Sequence, residues 1–182
     1  SSSAASDVYK RQDQGVSEAE NTGEKLKEQG FNFDVMFTSE LKRAQNTGEI
    51  ILEKLNKPNL ATIKSVNLNE RDYGDLTGMN KDEARAEFGE EQVHIWRRSY
   101  DVPPPGGESL KDTYDRVIPY FESDIIPEIN DSKNVLIAAH GNSLRSLVKF
   151  IEDLNETDIL KLEIATGEPI IYKFIDGRFT RA

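Results

Sequence analysis

The segment that most constrains this chain is Asn134 to Ala139, NVLIAA, followed directly by His140-Gly141-Asn142-Ser143. A continuous apolar run bounded by turn-prone residues reads as a strand covered on both faces, and strands of that kind belong to parallel sheets. The run is therefore expected to be central. A second β-then-α unit lies upstream: Asp34 to Thr38 is a strand candidate, and Leu41, Ala44, Ile51 and Leu55 recur at helical spacing behind it, with Ser39 as the expected helix cap. Ala61 to Val66 reads as another strand. Asn80 with Glu83 opens a helix that Gly89 closes, and Gln92 to Ser99 forms a short amphipathic helix carrying Trp96. Ser109 begins a long helix to about Ile129, kinked by Pro119 and Pro127. Helices follow from Ser143 to Ile151 and from Thr157 to Leu162, and Asp176-Gly177 turns a hairpin between IIYKFI and RFTR. Strands alternating with helices predict an α/β domain, a three-layer αβα sandwich with a mostly parallel sheet.

Length and charge narrow the function. One domain suits 182 residues. The absence of cysteine excludes disulfides, thiolate nucleophiles and cysteine-built metal sites, and it suits a cytoplasmic protein. Two histidines, His94 and His140, stand too far apart for a metal-ligand pattern, so no metal is expected. With 33 acidic against 23 basic side chains the net charge is −10, which argues against nucleic acid or an anionic membrane as partner. Any anion must be met by local cations. No apolar run reaches the roughly 20 residues of a membrane span. There is no Gly-x-Gly-x-x-Gly motif and no P-loop.

The chain opens differently. Residues 1–12, SSSAASDVYKRQ, show neither apolar periodicity nor a signal-peptide layout, and read as a non-native or disordered leader. The Ser17-x-x-Glu20 capping box then starts a helix that ends at Gly30. Residues 13–182 are taken as the single domain.

Candidate chemistry gathers where strands end. His140 follows the apolar strand and precedes a helix, so backbone N–H groups there can meet an anion, although a structural histidine at a strand end fits as well. Ser143 reads as a helix-cap residue rather than a nucleophile, because Arg145 stands where a nucleophile elbow needs glycine. Lys42 and Arg43 lie in the first turn after the upstream strand, and a guanidinium can grip phosphate with two bonds. Asn69 to Gly74, NERDYG, packs charges and an aromatic ring into a segment without helical period. Arg97 and Arg98 are read either as anion ligands or as one buried stem and one solvated head. His94 is assigned a packing or surface role.

In order along the chain, Thr38-Ser39-Glu40-Leu41-Lys42-Arg43-Ala44, Leu68 to Gly74 with Gly78-Met79-Asn80-Lys81, Trp96-Arg97-Arg98, Gly107-Glu108-Ser109-Leu110, and Ala139 to Arg145 resemble the cofactor-dependent phosphoglycerate mutases of the histidine phosphatase superfamily. The likeness runs from Gly15 to the C-terminus, and the short Pro103 to Ser109 connection resembles the compact yeast-type form. It implies a glycolytic and gluconeogenic isomerase that interconverts 3-phosphoglycerate and 2-phosphoglycerate through a phosphohistidine, with 2,3-bisphosphoglycerate as the priming phosphoryl donor. It implies phosphate-pocket roles for His140 and Arg43 and a proton-transfer role for Glu70. Substrate contacts fall to Arg71, Tyr73, Lys81, Arg97, Arg98, Gly141 and Asn142. The expected partner is a small anionic phosphoglycerate, and the protein a monomer or homo-oligomer. The family opens with a strand ending in Arg-His-Gly, whose histidine is the nucleophile. No Arg-His-Gly occurs here. The expectation is thus a domain incomplete at its N-terminus, inactive as it stands, and destabilised by unpaired backbone beside the lost strand. Two other readings stay open: a phosphatase of the same superfamily acting on phosphorylated metabolites, and a non-catalytic anion-binding pseudoenzyme.

Overall fold

In the computed structural model the described backbone covers residues 2–182 and the described side chains residues 13–182. The leader expected over 1–12 thus lies outside the described side chains. Helix α1 (Ser2–Glu28) passes through Ser17 and Glu20, so the expected capping box is interior to the helix and starts nothing. Its end is as expected. Gly30 takes φ 75°, and the Phe31 and Gly30 N–H groups bond the Leu26 and Lys27 carbonyls, the crossed pair of a left-handed helix stop.

The parallel sheet has three strands in the order β2 (Thr62–Ser65), β1 (Val35–Ser39), β3 (Val135–Ala138), with Phe37 opposite Ile63 on one side and Ile137 on the other. The expected central strand is corrected here. β1, buried at all five positions, takes the middle, and β3 ends the sheet with Val135 and Ile137 only half-buried. Apolarity of β3 reports helices above and below it, which a strand at the sheet margin can also have.

Two cores make the sandwich. On one face Leu26 of α1 and Ile51 and Leu52 of α2 (Lys42–Lys54) pack on Met36, Leu136 and Ala138. On the other, Val35 and Phe37 meet Val117, Ile118 and Tyr120 of α5 (Leu110–Tyr120) and Leu147 of the helix after β3. The alternation Val35, Met36, Phe37 across the two faces is the period-2 geometry of a strand. Gly48 permits the close approach of α2, since a Cβ there would lie 2.6 Å from Met36 Sδ.

Between β2 and α5 the chain builds a flap. Helix α3 (Lys81–Phe88) starts on Asn80, whose side chain accepts from Glu83 N–H, and stops at Gly89 as expected. Helix α4 (Glu90–Arg98) follows directly, and Trp96 packs edge-on against Phe88 at 5.2 Å. Ser109 and Asp112 form the reciprocal cap of α5. The long helix expected from Ser109 to Ile129 is broken more finely than two kinks: α5 gives way to a π-helical turn over Phe121–Ile125 and then to α6 (Ile126–Asn130). Pro119 has no N–H to donate, and a wider turn after it relieves the lost ladder bond. After β3 come α7 (Gly141–Glu152), α8 (Glu156–Lys161) and the antiparallel pair β4 (Tyr172–Ile175) and β5 (Arg178–Arg181). Asp176 and Gly177 both take positive φ, as a tight hairpin turn requires.

Candidate active site at the carboxyl ends of β1 and β3

Parallel neighbours deliver their C-terminal residues to one edge of the sheet, so Ser39 and His140 arrive side by side. Ser39 Oγ lies 2.8 Å from His140 Nε2 and also accepts from Leu41 N–H at 3.1 Å. The expectation that Ser39 caps α2 is therefore corrected: Leu41 occupies the cap position without a side-chain bond, and the buried Ser39 hydroxyl is turned to the histidine. His140 is itself the cap residue of α7. Its N–H donates to Ser143 Oγ, which places Ser143 in a buttressing role inside the first turn.

The N-terminus of α7 faces the Asn69 to Gly74 segment. Glu70 Oε1 accepts from Asn142 N–H at 3.1 Å and from Arg71 N–H at 2.8 Å. Asn142 Nδ2 donates to Tyr73 Oη at 2.9 Å. A Cβ on Gly141 would stand 3.8 Å from Glu70 Oε2, an ordinary contact distance, so Glu70 approaches the first turn of α7 without needing glycine there. A carboxylate thus occupies an amide at the positive end of a helix, the kind of place that attracts a phosphate. Arg71 is buried, donates to the Glu108 carbonyl at 2.7 Å and the Trp96 carbonyl at 3.5 Å, and lies 5.1 Å from the Tyr73 ring centre.

Charge follows from burial. Desolvation pushes His140 below its ordinary pKa of 6.5; the Glu70 carboxylate opposes that push, and the Arg43 and Arg116 guanidiniums add to it. His140 is neutral at neutral pH. Burial likewise lowers Arg71, opposed by Tyr73, Glu108 and Glu70, yet a guanidinium stays charged throughout the physiological range.

Of the predicted site residues, the structure brings His140, Gly141, Asn142, Glu70, Arg71 and Tyr73 together. Arg43 is exposed in the first turn of α2, near enough for its charge to act on His140. Lys81, Arg97 and Arg98 are exposed on α3 and α4, outside the hydrogen bonds that join that cluster. His94 is exposed on α4, as its surface assignment expects.

Two further residues, unassigned by sequence, hold the cluster. Arg116 on α5 donates to the carbonyls of Asn67, Asn69 and Glu70 and pairs through two nitrogens with both carboxylate oxygens of Glu108. Glu108 Oε1 also accepts from Asp72 N–H. Only the Gly107 to Leu110 run hinted at Glu108; nothing in local sequence marks Arg116.

The profile of the histidine phosphatase superfamily (branch 1) matches residues 12–181. The chain belongs to that superfamily. Within it, the chain is 61% identical over 160 residues to a 2,3-bisphosphoglycerate-dependent phosphoglycerate mutase of Bradyrhizobium sp. (strain ORS 278), covering 88% of this chain and 77% of the relative. It is 58% identical over 166 residues to a phosphoglycerate mutase of Schizosaccharomyces pombe, covering 91% and 79%. Among solved superfamily structures, the α-ribazole phosphatase of Shigella flexneri superposes with a TM-score of 0.76 at 21% identity, over 93% of this chain and 80% of that one. A mycobacterial glucosyl-3-phosphoglycerate phosphatase superposes at 0.69 and 21%, over 92% and 83%. These likenesses carry the fold.

Proposed function

We propose that the chain is the body of a 2,3-bisphosphoglycerate-dependent phosphoglycerate mutase, an isomerase of 3-phosphoglycerate and 2-phosphoglycerate in the cytoplasmic steps of glycolysis and gluconeogenesis. The observation that carries the reading is the hydrogen bond from Asn142 N–H to Glu70 beside His140, which joins the two motifs that a phosphoryl-transfer site needs. A neutral histidine, a helix N-terminus and Arg43 suit the phosphoryl group. Glu70 is the one carboxylate poised there to take or return a hydroxyl proton. The buried Arg71 with Tyr73 suits the glycerate carboxylate, and Lys81, Arg97 and Arg98 on the flap are assigned the second phosphate.

The same groups suit the cofactor. 2,3-Bisphosphoglycerate carries two phosphates and a carboxylate, and Arg43, His140, Asn142, Arg71 and Lys81 would hold them; when bound it supplies the phosphoryl group that primes the enzyme. The identities of 57–61% to proteins named mutases favour this reading over a phosphatase. As these 182 residues stand, one histidine reaches the site and the other is exposed on α4, so the chain is expected to bind phosphoglycerate without turning it over. Calorimetric titration of 3-phosphoglycerate into the protein tests the binding. Saturable one-to-one binding, weakened at least about tenfold in Arg71→Ala, is expected. No binding, or binding indifferent to Arg71, overturns the assignment.

A further inference from the structure

The mechanism uses Glu70 and Arg71 but leaves open what fixes them. They lie in a segment with no regular secondary structure between two short 3-10 turns, Val66–Leu68 and Gly74–Leu76. A segment of that kind has no ladder of its own to hold its carbonyls and N–H groups. Here the Asn69, Glu70 and Asp72 carbonyls and the Asp72 N–H are held by two residues from the far side of the Pro/Gly loop. Arg116 takes the carbonyls of Asn67 at 2.8 Å and of Asn69 and Glu70 at 3.0 Å. Glu108 takes Asp72 N–H at 2.9 Å through its carboxylate, gives its own N–H to the Asp72 carbonyl at 2.7 Å, and receives Arg71 Nε on its carbonyl at 2.7 Å. The two are joined by a fork, Arg116 Nε to Oε2 at 2.8 Å and Nη2 to Oε1 at 2.9 Å. Both side chains are about three-quarters buried, at 24% and 22% exposure, so the pair works at reduced solvent screening.

We propose that Arg116 and Glu108 act as one positioning unit that sets where the Glu70 carboxylate and the Arg71 guanidinium stand, and so tunes recognition of the glycerate end of the substrate without touching it. The inference rests on the phosphoglycerate reading above. A planar guanidinium is required for it: lysine can keep an ion pair with Glu108 but cannot reach three carbonyls and two carboxylate oxygens at once. The pair anchors one side of the site only, because Ser39, His140 and α7 are held by the sheet.

That asymmetry gives the test. In the full chain, Arg116→Lys and Glu108→Gln are compared with wild type and with Lys111→Ala, an exposed substitution on the same helix. Calorimetry with 3-phosphoglycerate and separately with inorganic phosphate is paired with amide hydrogen exchange of residues 69–72. Both variants are expected to lose at least about tenfold in 3-phosphoglycerate affinity while phosphate affinity stays within about twofold, with faster exchange confined to 69–72. Unchanged affinity and exchange overturn the proposal. So does an equal loss for both ligands with a lower melting temperature, which marks a general packing role. If wild type binds no 3-phosphoglycerate, the functional reading fails by itself; exchange then decides the positioning claim, which falls if residues 69–72 stay protected in both variants.

Discussion

At the scale of single residues, His140 is held neutral by burial against Ser39 and the first turn of α7. Its folded pKa lies below the unfolded value, so above about pH 6.5 both states carry a neutral ring and the group adds nothing to the pH dependence. As pH falls through 6.5 the unfolded chain takes up the proton first, and stability drops until the folded pKa is reached. Urea unfolding at pH 7.5 and 5.5 is expected to show a larger loss in wild type than in His140→Gln. Equal losses contradict the assignment. The sequence places His140 at a strand end by its apolar run, while Glu70, Arg71 and Asn142 enter through the family resemblance, since the residue types of the Asn69 to Gly74 run fit a surface loop as well; the structure brings the four together. Ser39 was misread because the cap rule weighs only local neighbours, while its partner lies 101 residues away. Arg116 was invisible for the same reason, its carbonyl partners being 46 to 49 residues upstream.

At the scale of elements, the Pro/Gly loop is a clamp more than a break. Where it crosses the Tyr73 turn two glycines face each other: a Cβ on Gly74 would lie 2.3 Å from the Pro105 carbonyl, and one on Gly107 would lie 2.7 Å from both the Asp72 carbonyl and Gly74 N. These obstacles are backbone and cannot swing aside. Gly107→Ala is expected to lower stability by about 1–3 kcal/mol, read as a shift of the urea midpoint at unchanged slope. A shift within about 0.5 kcal/mol, the range of an ordinary surface change, contradicts the crossing. The sequence reported a firm break at 103–107 but not what it docks on, since the contact is made by close backbone approach and leaves no apolar pattern. Helix starts and stops at Asn80, Gly89, Ser109 and Gly30 were legible because capping is local chemistry. The π-turn after Pro119 was not, as widening a helix by one residue preserves most of its apolar spacing.

At the scale of the molecule, the αβα sandwich follows from alternation of strands and helices, but strand order does not, because β1 and β3 are both apolar and only their pairing tells which is central. Among the described residues no strand pairs with the outer edge of β3, and β4–β5 forms a sheet of its own. Val135–Ala138 thus form an edge of the sheet among the described residues, as Thr62–Ser65 do on the other side. The net charge of −10 bears on the reading at this scale: under the proposed function, Arg43 and the buried Arg71 are the cations that an acidic chain must supply locally to meet a phosphorylated acid. As proposed, this is a mutase site that holds one histidine, His140, and is expected not to turn substrate over. Its most direct test is phosphorus NMR of 3-phosphoglycerate with 2,3-bisphosphoglycerate, using the chain and a version in which residues 1–12 are replaced by a strand ending in Arg-His-Gly. 2-Phosphoglycerate is expected from the replaced version alone and only in the presence of the bisphosphate. Turnover by the 182-residue chain, or free phosphate as the sole product of the replaced version, contradicts it.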